Sequence, residues 1–510
     1  MNAKVCSATT IGISAHTVDV EVDLSLGMIQ FHIVGLPDKA INESKDRIRA
    51  AFKNSGLRLP ERLITVNLAP ASLKKEDVLF DVPIAVAILQ AAKLIEIPAD
   101  FLNETFFLGE LSLDGAIRPV RGVLSVAHNA RLSGKKRLVI PIENTQEASL
   151  IKDLEVIGVA NIVQLVGYLR GEIKIESTPS HFDHFCSKLQ ETVLNFDQVK
   201  GQALAKRALQ IAAAGRHNIL FIGSPGSGKT MLARRLATIL PPMSFDEVIE
   251  TTKVYSVAGL LSGGPLVVQR PFRSPHHTIS QAGLVGGGTM PRPGEISLAH
   301  NGVLFLDELP EFSRPTLEVL REPLESGRVL ISRASCAIDY PSSFLLVAAM
   351  NPCPCGYYGD RKKQCVCGQN KVAHYLAKIS GPLLDRIDLH VHVSSIEYAE
   401  LKNGDRKEKT SAELFVEVEQ AVRMQEQRFG AQRNAFMASD QVEKYCALSP
   451  DADQVMKLAF DKLGLSMRGY HKILKIARTI ADMACCEHIE KRHVQEAIMY
   501  RSLDKKIDDV

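Results

Sequence analysis

Eight consecutive residues constrain this chain more than any others: Gly223-Ser224-Pro225-Gly226-Ser227-Gly228-Lys229-Thr230. They satisfy the pattern G-x-x-x-x-G-K-[ST] at every fixed position. An apolar run, Asn218-Ile219-Leu220-Phe221-Ile222, precedes them, and a helical run from Met231 to Leu240 follows. Strand, glycine loop and helix together make a phosphate cradle. Glycines let the backbone curl so that successive N–H groups point at phosphate oxygens, and the helix start adds the positive end of its dipole. In that context the octapeptide reads as an ATP site, with Lys229 on the β- and γ-phosphates and Thr230 on Mg²⁺. The plain alternative, a glycine-rich turn with a chance lysine, does not account for the flanking strand and helix.

A second apolar strand, Gly302-Val303-Leu304-Phe305-Leu306, ends in Asp307 and Glu308. Carboxylates at the C-terminal end of a strand sit where open α/β sheets bind ligands. Asp307 is placed to hold Mg²⁺, directly or through water. Glu308 is placed to polarise an attacking water, since phosphoryl transfer needs a positioned nucleophile. A third apolar run, 344–350, ends in Asn351.

Around this core the chain falls into blocks. Its 510 residues predict about three domains. Residues 1–172 mix strand-like stretches with helical ones. Val18, Val20, Val22 and Leu24 share one face of a half-buried strand, and 39–54 reads as helix with Asp38 as its N-cap. Ile64-Thr65-Val66-Asn67-Leu68 is a further strand closed by Pro70. This block reads as α+β. A polar linker, 173–195, leads into 196–400, where short apolar runs alternate with helices and predict a parallel α/β sheet. Residues 401–510 are helical. Net charge is only +3, so any nucleic-acid surface has to be local. No apolar run reaches the ~18–20 residues of a membrane span, and the N-terminus carries no apolar signal core. A cytoplasmic location without membrane attachment is expected.

Several further segments carry a resemblance. They are Val20-Glu21-Val22-Asp23-Leu24, Val34-Gly35-Leu36-Pro37-Asp38, Val66-Asn67-Leu68-Ala69-Pro70-Ala71 and Gly109-Glu110-Leu111-Ser112-Leu113-Asp114-Gly115. Beyond the phosphate loop come Phe272-Arg273-Ser274-Pro275-His276-His277 and Ser380-Gly381-Pro382-Leu383-Leu384-Asp385-Arg386. With these motifs the chain resembles, over its whole length, the magnesium-chelatase-like AAA+ proteins of the ComM/YifB type. The resemblance implies a multi-domain α/β architecture. It has an N-terminal Lon-protease-like (ribosomal S5 domain 2-like) α+β domain, a central P-loop AAA+ domain and a C-terminal helical lid. It implies Asn351 as the γ-phosphate sensor and Arg386 as an arginine finger offered to a neighbouring subunit. Arg468, in Ser466-Met467-Arg468-Gly469, is implied as the lid arginine contacting the γ-phosphate in cis. It also implies a homo-hexameric ring that uses ATP to drive branch migration of DNA in natural transformation, with single-stranded and branched DNA and recombination proteins as partners. The region matching the Lon nucleophile loop, Lys75-Glu76-Asp77-Val78-Leu79-Phe80-Asp81, has no serine. The first block is therefore expected to be non-catalytic.

Two features remain. Cys353-Pro354-Cys355 and Cys365-Val366-Cys367 bring four thiols into a short stretch that suits tetrahedral Zn²⁺. Free surface thiols and a redox disulfide stay open beside it. Between the two ATP motifs, 265–300 carries Arg270, Arg273 and Arg292 against one acid, Glu295. Together with Lys362 these are candidate contacts to a DNA backbone, and an ordinary surface loop is the plain alternative. Two functions stand: a DNA motor, and a chelatase-type motor that remodels a protein partner.

Overall fold

The period-two alternation of Val18, Val20, Val22 and Leu24 buries all four side chains on one face of β2 (Ser14–Ser25). That strand pairs antiparallel with β1 (Asn2–Ile11) along its whole length. The computed structural model describes residues 2–73, 75, 78–180, 194–261, 266–288, 291–332, 337–360, 363–394 and 408–501. By contact it divides into two units, Met1–Leu189 with Val248–Val268, and Gln190–Glu247 with Gln269–Val510.

In the first unit β1 and β2 are joined by β3 (Phe31–Val34), β4 (Leu63–Ala69) and β5 (Thr105–Phe107). A small hairpin, β6 (Glu110–Leu111) with β7 (Ile117–Arg118), follows, then β8 (Arg137–Pro141) and β9 (Glu155–Val159). The main sheet has the order β3-β4-β2-β1-β5-β8-β9. It is antiparallel through β4, β2 and β1 and parallel from β1 to β9. Helices Asp81–Ala91 and Val123–Leu132 pack on it. The helix expected over 39–54 is two: Lys39–Asn42 and Ser44–Asn54. The break at Glu43 turns Ser44 inward and lets Arg47 reach the buried Asp81 carboxylate at 2.6 Å. Asp38 caps as expected, its carboxylate accepting from the Ile41 amide at 2.9 Å.

Residues 248–268, read from sequence as part of the ATPase block, join the first unit. Lys253 meets His128 at 2.9 Å, and burial pushes its ammonium down to about 8. Ser256 donates to Glu147.

The turn Val34-Gly35-Leu36-Pro37 has a specific cause. Gly35 sits at φ +100° with its Cα against β4; a Cβ there would lie 2.3 Å from the Leu68 carbonyl oxygen. Lys75, fully buried, ties this corner together. Its ammonium donates to Gly35 O at 3.0 Å, Leu68 O at 2.9 Å and Pro70 O, using all three of its protons.

The second unit is built on a fully parallel sheet. Its strands are β10 (Ile219–Ile222), β11 (Phe272–Arg273), β14 (Val303–Leu306), β17 (Leu345–Met350) and β18 (Leu389–His392), in the order β11-β14-β17-β10-β18. Two hairpins lie outside it, β12 (Gly286–Gly287) with β13 (Arg292–Pro293), and β15 (Arg328–Ser332) with β16 (Ala337–Pro341). Every residue of β10, β14 and β17 is buried. This is the signature of a parallel sheet covered on both faces. The C-terminal helices Ser411–Phe429 and Met467–Met483 share one apolar core with helix Ala203–Gly215 and the sheet. Among the described residues no helix is long and apolar enough to cross a membrane.

Lys75→Met leaves three carbonyls without their donor. A buried unsatisfied polar group costs ~1–3 kcal/mol, so the unfolding transition of the first unit moves to lower temperature. Calorimetry on the full chain checks this, and an unshifted transition contradicts the assigned role.

Candidate nucleotide site

The phosphate loop begins where β10 ends. Gly223 donates to Met350 O of neighbouring β17 at 3.2 Å, and a Cβ on Gly223 would lie 2.2 Å from Val393 O. The loop can therefore leave the sheet only through a residue without a side chain. Gly226 and Gly228 take φ of +78° and +92°, and nothing lies within 4 Å of a Cβ built on Gly226. Gly228 starts helix Lys229–Leu236 with no side-chain cap, so the first helical N–H groups are left for an anion. Ser227 Oγ is buried and has no partner among the described residues.

Lys229 lies at the centre. Its ammonium donates to Gly223 O at 2.7 Å, Ser224 O at 3.1 Å and Asn351 Oδ1 at 3.3 Å. Burial lowers its pKa against the opposing pull of Asp307 and Glu308. Thr230 Oγ1 donates to Asp307 Oδ2 at 2.8 Å. Lys229 with Asn351 and Thr230 with Asp307 thus form two hydrogen-bonded pairs side by side at the carboxyl ends of β10, β17 and β14. An uncapped helix start, an open glycine cradle and an orphan serine hydroxyl fit a polyphosphate. The hydroxyl and carboxylate oxygens of Thr230 and Asp307 fit Mg²⁺.

Glu308 adopts φ +52°, uncommon for a residue with a side chain. Its amide donates to Asp307 Oδ1 at 3.0 Å, and its carboxylate meets His277 Nδ1 at 3.3 Å. His277 is itself held by His276, at 4.1 Å between ring centres, and by the edge of Phe312. The sequence reading quoted His277 in a motif but gave it no role.

Arg386 and Arg468 lie at the other edge of the sheet. Arg386 precedes β18, and its carbonyl accepts from Asn218 Nδ2 at 3.0 Å, at the amino end of β10. The phosphate loop starts a whole strand away; four residues at ~3.3 Å rise put roughly 13 Å of strand between the two ends. Arg386 and Arg468 both reach Glu325, at 2.6 and 3.0 Å. They line a cavity of about 450 Å³ that also includes Asn218 and Asp388 and no residue of the phosphate loop. In this structure Arg468 is paired with Glu325 beside Arg386 and does not reach the phosphate loop of its own chain through that cavity. The lid helix holds it beside Arg386 at the amino edge, away from its own loop.

Asp388, to which the sequence reading gave no role, fixes that edge. Its carboxylate meets Lys472 at 3.0 Å and His217 at 3.4 Å and accepts from the Asn218 amide at 3.2 Å. Burial alone would raise its pKa; the charges of Lys472 and His217 more than reverse this and hold it far below the carboxylate range.

The basic insert also differs from expectation. Arg273 forms a two-pronged ion pair with Glu295 at 2.6 and 2.7 Å. Arg270 pairs with Glu247 and donates to Pro241 O and Asn301 O. Both are structural staples, because a two-pronged pair or a pair reinforced by carbonyls outcompetes solvent exposure. Arg292 is exposed on β13. Lys362 lies outside the described residues. The four clustered thiols Cys353, Cys355, Cys365 and Cys367 are all free, their sulfurs within 4.8 Å of one another.

The family model described as "Magnesium chelatase, subunit ChlI" matches residues 195–401, that described as "Subunit ChlI of Mg-chelatase" matches 20–144, and its C-terminal model matches 408–501. The chain is 44% identical to Competence protein ComM of Haemophilus influenzae, over 98% of this chain and 97% of that protein. It is 41% identical to YifB of Salmonella typhimurium over 99% and 97%, and 41% identical to YifB of Escherichia coli over 97% and 96%. With its phosphate loop, acidic strand end and helical lid in one unit and this likeness running nearly end to end, the chain belongs to the ComM/YifB family of magnesium-chelatase-like AAA+ proteins.

Proposed function

We propose that this chain is an ATPase that works as one subunit of a hexameric ring and moves branched DNA. The observation that carries the ATPase reading is the cluster of Lys229, Thr230, Asp307 and Asn351 at one edge of the parallel sheet. Bound Mg²⁺ would neutralise charge on the transferring phosphoryl group. Lys229 leaves the loop carbonyls it now contacts to neutralise the β- and γ-phosphates. Asn351 orients the terminal phosphate. Glu308 accepts a proton from the attacking water, and His277 fixes where that carboxylate points. Arg386 and Arg468, paired through Glu325 at the opposite edge, serve the site of a neighbouring subunit, which makes hydrolysis depend on assembly.

The DNA reading rests on the likeness to a competence protein, on exposed Arg292, and on Tyr357, Tyr358 and Lys363. The Lys363 ammonium lies 4.9 Å from the Tyr357 ring centre, and Tyr358 is half exposed. A basic group beside aromatic faces suits single-stranded nucleic acid. A second reading, a chelatase-type motor acting on a protein, is favoured by the internal pairing of Arg270 and Arg273, which removes two of the cations expected to meet phosphate. The first unit is read as a Lon-type fold used for assembly or binding. Lys75, in the segment that matches the nucleophile loop, spends its amine on three carbonyls.

Lys229→Ala is expected to abolish ATP turnover. Glu308→Gln is expected to bind ATP and hydrolyse it ~10²–10⁴-fold more slowly, the scale of a lost general base. Steady-state ATPase assays with nucleotide-binding measurements check both, and wild-type turnover in either variant sinks the corresponding role. Binding to a synthetic branched junction is expected to fall steeply with salt and to show little base preference, because counterion release drives it. Junction binding and ATP-driven strand exchange test this. Vigorous ATPase with no DNA binding at low salt replaces the DNA reading with the protein-remodelling one.

A further inference from the structure

We propose that Cys353, Cys355, Cys365 and Cys367 form a structural zinc site whose function is to brace the phosphate loop. It rests on the reading of residues 223–230 as the ATP loop. Tetrahedral zinc with Zn–S bonds of about 2.3 Å places its sulfurs about 3.8 Å apart. Cys353 and Cys355 lie 3.3 Å apart, Cys355 and Cys365 3.5 Å, and Cys353 and Cys365 3.7 Å, with Cys367 inside the same 4.8 Å cluster. Four sulfurs are thus already gathered near the separations one ion requires, and none is in a disulfide.

Two backbone amides aim at these sulfurs: Tyr358 N donates to Cys353 Sγ at 3.3 Å, and Cys367 N to Cys365 Sγ at 3.4 Å. Amide donors to sulfur are the outer contacts that stabilise thiolate ligands. Four thiolates on Zn²⁺ carry a net charge of −2. Lys363, in the segment between the two pairs, places a cation in the same loop. Cys353 is fully buried, so the cluster is anchored in the protein and is not a pair of surface thiols.

Its position gives the site a consequence. Cys353 stands two residues after Asn351, whose side chain accepts from Lys229. Gly356, at φ +86° in the loop between the cysteine pairs, abuts the phosphate loop itself. A Cβ on Gly356 would lie 2.5 Å from Cδ and 2.7 Å from Cγ of Pro225. The four ligands therefore hold one wall of the nucleotide cradle, and losing the metal frees Pro225 and Asn351 together. On binding, zinc displaces the thiol protons to solvent; no redox step is involved.

The test uses the full chain. Elemental analysis is expected to find one zinc per chain, and the cobalt-substituted protein is expected to show the intense visible bands of a tetrahedral tetrathiolate. Removing zinc with 1,10-phenanthroline is expected to weaken binding of a fluorescent ATP analogue at least about tenfold, the scale of a displaced positioning group. Added zinc restores binding and added magnesium does not. Gly356→Ala, which pushes on Pro225, is expected to keep the metal and still lose affinity. Lys229→Ala is expected to lose nucleotide binding and keep its zinc, which separates this proposal from the ATPase reading. Protein that binds ATP normally with far less than one zinc per chain overturns the site. Unchanged ATP affinity after complete zinc removal, or in zinc-loaded Gly356→Ala, overturns the brace.

Discussion

Strands of a parallel sheet all end on the same side, so the sheet has two chemically unlike edges. In this chain the carboxyl edge carries the phosphate loop after β10, Asp307 after β14 and Asn351 after β17. The amino edge carries Arg386, held before β18 against Asn218. One strand length separates the two, and no rotamer of an arginine spans it. The phosphate loop and the Arg386–Glu325–Arg468 group thus lie at opposite edges of the same sheet. In the ring proposed above, Arg386 and Arg468 would serve the nucleotide of a neighbouring subunit.

What keeps the amino edge rigid is a charged knot. Asp388 contacts Lys472, His217 and the Asn218 amide, while Lys472 and Arg501 both donate to Ile387 O. Lys472 lies on the same helix as Arg468, so the knot fixes the lid arginine relative to the finger. Removing one member of a largely buried charged group costs ~3–5 kcal/mol, because the other charge is left uncompensated. The carboxyl of Asp388 is depressed in the folded state. The sign of its linkage follows: its contribution is present above the ordinary aspartate value and is lost only as pH falls through the folded one. The Asp388 carboxylate therefore stays charged across physiological pH, while Arg386 and Arg468 share the Glu325 carboxylate beside it.

The parts of this arrangement that lie in one stretch of chain were legible in the sequence. The phosphate loop, the acidic strand end and the half-buried strand β2 each follow from local pattern, because glycine placement and apolar periodicity are local properties. The placements that local pattern does not show share a different cause. Arg468 reads as a cis residue from its motif, but its address is set by how helix Met467–Met483 packs on the far edge of the sheet. Arg270 and Arg273 read as free cations because the sequence does not show that Glu247 and Glu295 lie opposite them. His277 lies in a quoted segment, yet its partner Glu308 lies outside that segment, and the partner of Asp388, Lys472, is distant in sequence. The assignment of 248–268 to the first unit has no signal in that stretch alone; it depends on His128 and Glu147, more than a hundred residues away.

The central claim, that each subunit's arginines act on its neighbour's nucleotide, is tested most directly by mixing two inactive proteins. One is Lys229→Ala, with a dead nucleotide site and intact arginines. The other is the double variant Arg386→Ala/Arg468→Ala, with an intact nucleotide site and no arginines to donate. In rings shown by differential labelling to contain both, ATPase activity returns, since some interfaces then pair an intact site with intact arginines. Mixed rings that stay inactive at every ratio contradict the account.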